Sequence, residues 1–148
     1  MTENELSKEI IGAAIEVHKV LGPGLLESAY EACLEYELGK RSLAVKKQVP
    51  MPLRYDGLRL DIGYRLDLVV EDAVVIELKS VQQLLAIHTA QLLSYLRAGD
   101  YRIGFLLNFN TVHMRDGIKR VVNGFVGEGK EREDIRRRGP SGESPLSV

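Results

Sequence analysis

Glu77-x-Lys79 ends an alternating apolar segment, and Asp67 lies ten positions earlier on a segment with the same alternation. Two carboxylates converging there offer hard oxygen ligands to a divalent cation, with the Leu78 carbonyl as a further donor. A lysine two residues on would orient a water or offset charge developing on a phosphate. The same three side chains would also suit a solvated charged face, and spacing alone leaves both readings open.

A helix expected over roughly 82–98 adds polar groups. Leu84, His88, Gln91 and Tyr95 fall within a narrow arc, because steps of four, three and four residues nearly complete whole turns. Leu85, Leu92, Leu93 and Leu96 form the opposing stripe that would pack on a sheet. Following a Glu-x-Lys strand, His88 and Gln91 are placed either as ordinary surface residues or over the strand end, beside a metal-bound water or a phosphate. Glu27, Tyr30 and Leu34 share one face of an earlier helix. There a carboxylate suits the helix N-terminus and a tyrosine suits a core.

These side chains need a scaffold. Thr2 and Glu5 read as a capping box, followed by an apolar stripe through Leu6, Ile10, Ala13, Ala14, Val17 and Leu21. Gly22-Pro23-Gly24 stops that helix, and a second runs from about Leu25 to Leu38. A segment over 45–55 follows, marked as an edge strand by Pro50 and Pro52, which remove ladder donors. Asp56-Gly57 signals a two-residue hairpin pairing Tyr55 with Leu58 and Leu53 with Leu60. The next strand reads as continuous from Leu58 to Val70, with its apolar residues at even positions. Ala73–Lys79 alternates again, and matching the two apolar faces requires an odd-numbered loop or a bulged strand; a loop centred on Asp72 is expected. That register puts Asp67 on the face of Glu77 and Lys79. An apolar run over 101–109 reads as a central strand, parallel to 73–79 through the intervening helix. A short element around 118–125 follows a turn at Asp116-Gly117.

The 148 residues suit one domain over 1–126, and the Gly/Pro/Ser-rich charged segment 127–148 has little to bury and is expected to be mostly disordered. The net charge of −1 disfavours bulk coating of nucleic acid while allowing a local basic groove. A single cysteine, Cys33, precludes an internal disulfide and suits a reducing cytoplasm, and no membrane span or secretory signal is read. His18, His88 and His113 share no zinc spacing, and neither a phosphate-binding loop nor a nucleophile elbow is present.

Read in order, Gly24-x-x-Glu27-x-x-Tyr30, Gly63-Tyr64-Arg65-Leu66-Asp67-Leu68, Ile76-Glu77-Leu78-Lys79, Ala90-Gln91-Leu92-Leu93-x-Tyr95-Leu96, Asn108-Phe109-Asn110 and Asp116-Gly117-Ile118-Lys119-Arg120 resemble the GxxExxY family of the PD-(D/E)xK nuclease-like superfamily. The resemblance covers about Ile10 to Asn123. It implies an α/β, restriction-endonuclease-like core, a mixed four-stranded sheet flanked by helices, with two N-terminal helices. It implies Asp67 and Glu77 as ligands of Mg²⁺ or Mn²⁺, Glu27 as a supplementary ligand, Lys79 as the catalytic lysine, and Gln91 as a residue positioning water or substrate. Leu66 stands where the superfamily's name has proline.

The expected function is a metal-dependent nuclease hydrolysing phosphodiester bonds in DNA or RNA. The alternative is a nuclease-like fold acting as a non-catalytic module that binds nucleic acid or protein. Substrate contacts are expected from His88, Tyr95, Tyr30, Lys46, Lys47 and Arg97. A homodimer or partner protein is a further expectation, helping a chain of this charge to meet its substrate.

Overall fold

The structure, a computed structural model, describes residues 1–124; the segment 127–148, and the disorder expected of it, lie outside the described residues. Two N-terminal helices, α1 (Glu3–Leu21) and α2 (Glu27–Lys40), precede β1 (Val45–Pro50). A hairpin of β2 (Leu53–Tyr55) and β3 (Leu58–Leu60) leads to β4 (Arg65–Val70) and β5 (Val74–Lys79). Helix α3 (Ala86–Gly99) crosses to β6 (Ile103–Asn108), and a 3₁₀ turn over Met114–Gly117 introduces β7 (Ile118–Val122). The sheet order is β1-β4-β5-β6-β7, mixed through the parallel β5–β6 pair. This is an α/β fold consistent with the restriction-endonuclease-like core, with five strands in the main sheet rather than four.

Helices α1 and α2 cover one face, burying Ile10, Ala13, Val17, Leu34 and Leu38 against Leu68, Ile76, Leu78 and Phe105. Helix α3 covers the other, with Leu92, Leu93 and Leu96 packed among Val69, Val75 and Leu106. The capping box at Thr2 and Glu5 is present. The β4–β5 register pairs Leu68 with Ile76 and Val70 with Val74, closing a three-residue loop around Asp72 as parity requires. Both Glu71 and Asp72 take positive φ in that loop (55° and 51°). The Asp56-Gly57 turn and its hairpin register are likewise as read.

The strand expected from Leu58 to Val70 is broken. The hairpin forms a separate two-stranded sheet, and residues 61–64 leave the ladder, with Gly63 at φ 86°. Even positions also cease to share a face: Leu66 joins the α3-side core whereas Leu68 joins the core beneath α1 and α2. Helix α3 starts four residues later than expected, so Leu85 precedes it and is exposed, and Leu84 packs on the core instead.

The α1–α2 connection is held by Tyr30. Its side chain is fully buried and stacks on Phe109 with ring centroids 4.4 Å apart. The hydroxyl donates to the Gly22 carbonyl (2.6 Å) and accepts from the Leu25 amide (3.1 Å). Tyr30 is therefore closed to a substrate, and its role is to fix the loop that delivers the start of α2. Tyr30→Phe keeps the ring but strands two main-chain partners, so denaturant unfolding is expected to show a loss of about 1–3 kcal/mol.

Candidate metal centre

The β4–β5 ladder ends at Leu68 and Ile76, one residue short of Asp67 and Glu77. Beyond that point side chains replace main-chain pairing. The Asp67 amide donates to Glu77 Oε1 (3.1 Å), and the Leu78 amide donates to Asp67 Oδ2 (2.9 Å). On its other edge β5 stays paired with β6 as far as Lys79 and Asn108. The two carboxylates thus occupy a fork between diverging strands, on neighbouring positions as the register required.

Helix α2 closes one side of the fork. The Ser80 amide donates to Glu27 Oε2 (3.3 Å), and Ser80 Oγ donates to the Leu25 carbonyl (2.7 Å), so the chain leaving Lys79 is tied to the start of α2. Beside this junction lies a cavity of about 590 Å³ lined by Gly24, Leu25, Leu26, Glu27, Ser28, Ser80 and Asn110. Buried Asn108 pins the same segment, exchanging hydrogen bonds with both main-chain groups of Val81 (3.1 and 3.0 Å).

Helix α3 faces the fork with Tyr95, which lies within reach of the Glu77 and Asp67 charges. The Tyr95 ring packs 5.9 Å from Tyr64, and Gln91 lies one turn before Tyr95 on the same helix. Burial raises the Tyr95 phenol above its ordinary range, reinforced by the Glu77 charge. His88 is committed locally: its Nδ1 accepts from the Leu85 amide (2.9 Å) at the start of α3.

The basic residues expected to touch substrate lie elsewhere. Lys46 pairs with Asp72 (2.8 Å) in the β4–β5 turn, at the far end of the strand pair from Asp67. Lys47 approaches Glu35 on α2 (3.6 Å), and Arg97 sits in the last turn of α3. Lys46 and Arg97 are not brought to the fork, and Lys47 reaches only its α2 edge, where its charge acts on Glu31.

Two residues not singled out from sequence are brought there. Gln48 Nε2 donates to Glu31 Oε1 (2.7 Å) and stands 3.5 Å from Asp67 Oδ1. Glu31 was legible in principle, since it follows Glu27 by four residues and shares its helix face. Gln48 carried no such signal. Its φ of 51° costs a non-glycine residue about 1–2 kcal/mol, and no sequence pattern announces it.

Electrostatically the fork is strained toward protonation. Burial, then the adjacent Asp67 charge, pushes the Glu77 carboxyl up to about 8. Asp67 is also raised by burial, opposed by the Leu78 amide and Gln48, and Glu31 is raised by burial. Hard carboxylate oxygens that are costly to ionise alone are the donor set a divalent cation would hold ionised. Among the described residues, however, no three His, Cys, Asp or Glu side chains are grouped closely enough to hold one ion. Asp67, Glu77 and Glu27 are instead each engaged with a main-chain amide.

Glu77 gives a pH signature in metal-free protein. Folded, it keeps its proton up to about 8, whereas unfolded it ionises near 4.5. The folded state therefore binds the extra proton across that window, and stability falls as pH rises through it. Denaturant unfolding in EDTA is expected to show a loss on the order of a few kcal/mol between about pH 5 and pH 8. Glu77→Gln is expected to flatten that slope; an unchanged slope in the variant would count against this assignment.

No curated protein and no solved structure matches the chain. A family model does: that of the PD-(D/E)XK nuclease superfamily matches residues 4–121, which include the fork and, but for the first residue of α1 and the last of β7, both N-terminal helices and every strand of the main sheet. The chain belongs to the PD-(D/E)XK nuclease superfamily.

Proposed function

We propose that this protein is a divalent-metal-dependent nuclease hydrolysing phosphodiester bonds in DNA or RNA, and that it belongs to the GxxExxY branch of its superfamily. The observation carrying the reading is the fork, where Asp67 and Glu77 lie on diverging strands with Lys79 next on the same strand and Glu27 tied to the residue that follows. Asp67 and Glu77 would hold Mg²⁺ or Mn²⁺, with Glu27 supplementing them once released from the Ser80 amide. Such a cation acts as a Lewis acid on a phosphoryl oxygen and on water.

The chain's own residues supply the rest. Lys79 brings a positive charge to the mouth of the fork, where it offsets charge developing on the scissile phosphate. Gln91, exposed one turn before Tyr95 on α3, would orient the attacking water or the substrate on the α3 side through its amide. The cavity beside Glu27 and Ser80 gives the substrate strand a place to lie. With four carboxylates near the fork and a net charge of −1, nucleic-acid binding is weak without the cation and falls with added salt.

The test is incubation with single- and double-stranded DNA and RNA in Mn²⁺, alongside calorimetry of metal binding. Wild type is expected to cleave at least one substrate, and both Asp67→Asn and Lys79→Ala to reduce cleavage by at least about 100-fold. Metal binding without turnover on any of the four substrates would instead support the non-catalytic binding module.

A further inference from the structure

Gln48 joins three observations that the proposed chemistry leaves unused. Its backbone is left-handed inside an edge strand, at φ 51°. The β1–β4 ladder skips the Gln48–Asp67 pair, yet Lys47 still faces Leu68 and Val49 still faces Leu66, so no residue has been inserted. Across that gap the strands exchange faces: Val45 and Leu68 pack beneath α1 and α2, whereas Val49 and Leu66 pack on the α3 side. Regular alternation would send Gln48 to the same side as Lys46, away from α2. The reversal instead brings its amide to Glu31 on α2 (2.7 Å) and toward Asp67 (3.5 Å).

The geometry points to Gln48 as the positioning residue of Asp67. An amide nitrogen has two hydrogens and can serve two carboxylates at once. It sets Glu31 and Asp67 side by side and steadies Asp67 Oδ1 while the Leu78 amide holds Oδ2. Being neutral, it orders two carboxylates without cancelling their charge, which a lysine in its place would do at the expense of a cation. Asparagine or glycine would accept the left-handed backbone more readily, but neither reaches as far as glutamine. The metal part of this inference rests on the reading of Asp67 as a ligand.

Two variants of the full chain separate amide from backbone. Gln48→Met removes the amide and keeps the strain; Gln48→Gly removes both. Both are expected to lose Mn²⁺ affinity by about 10- to 100-fold in calorimetry, as for other groups that orient a metal ligand. In thermal unfolding Gln48→Gly should melt at or above wild type, and Gln48→Met below it, a divergence that a merely structural role would not pair with a common loss of affinity. Wild-type affinity in both variants overturns the inference. Should wild type itself bind no Mn²⁺, the metal reading of the fork fails, and the crystal structure of Gln48→Gly decides the role of Gln48. An Asp67 carboxylate displaced from the Leu78 amide upholds the positioning role, and one left in place overturns it.

Discussion

The rest of the molecule depends on how two strands part. A buried main-chain N–H must find an acceptor, and where β4 and β5 diverge the acceptors are carboxylate oxygens of Asp67 and Glu77 rather than carbonyls. That exchange keeps the fork open without leaving Asp67 and Leu78 amides unsatisfied. It also commits Glu77 to a site only 8% exposed, where burial and the Asp67 charge drive it toward its neutral form. The sheet gives up regular pairing at one point and gains two acidic side chains held in fixed relation to each other.

Each neighbouring element is tied to that point by a polar contact and to the body of the fold by an apolar one. Helix α2 buries Tyr30, Leu34 and Leu38 in the core and extends Glu27 to the Ser80 amide. Helix α3 buries Leu92, Leu93 and Leu96 and turns Tyr95 toward Tyr64 and the fork. Strand β6 fills the core with Phe105 and Leu107 and ends on Asn108, which clamps the main chain of Val81. Gly117 serves the same region, since a Cβ there would collide with the Asn108 carbonyl oxygen. Two cores on opposite faces of one sheet therefore position a single polar end.

The charge distribution follows the same division. Acidic side chains gather at the fork, while Lys46 is drawn to Asp72 at the far end of the strands and Lys47 to Glu35 on α2. A phosphate approaching four carboxylates meets repulsion unless a cation intervenes. The net charge of −1 is therefore less informative than its placement.

Much of this was legible from residue order. Period-two and helical spacing gave the element types, Asp56-Gly57 the hairpin, and parity an odd-numbered loop around Asp72 that sets Asp67 beside Glu77. Those features are local, and side-chain alternation carries them directly. The break at 61–64, the exchange of faces between Leu66 and Leu68, and the left-handed Gln48 were not legible, because alternation assumes a strand that does not rotate about its axis. Tyr30 shows the same limit from the other side: its type and spacing admit either a core or a site, and only packing on Phe109 decides for the core. The sequence by itself determined which residues could do chemistry and on which elements they lie. The tertiary structure decided which of them meet, because Glu31, Gln48 and Asp67 come from three separate elements and are joined only when α2 docks on the sheet.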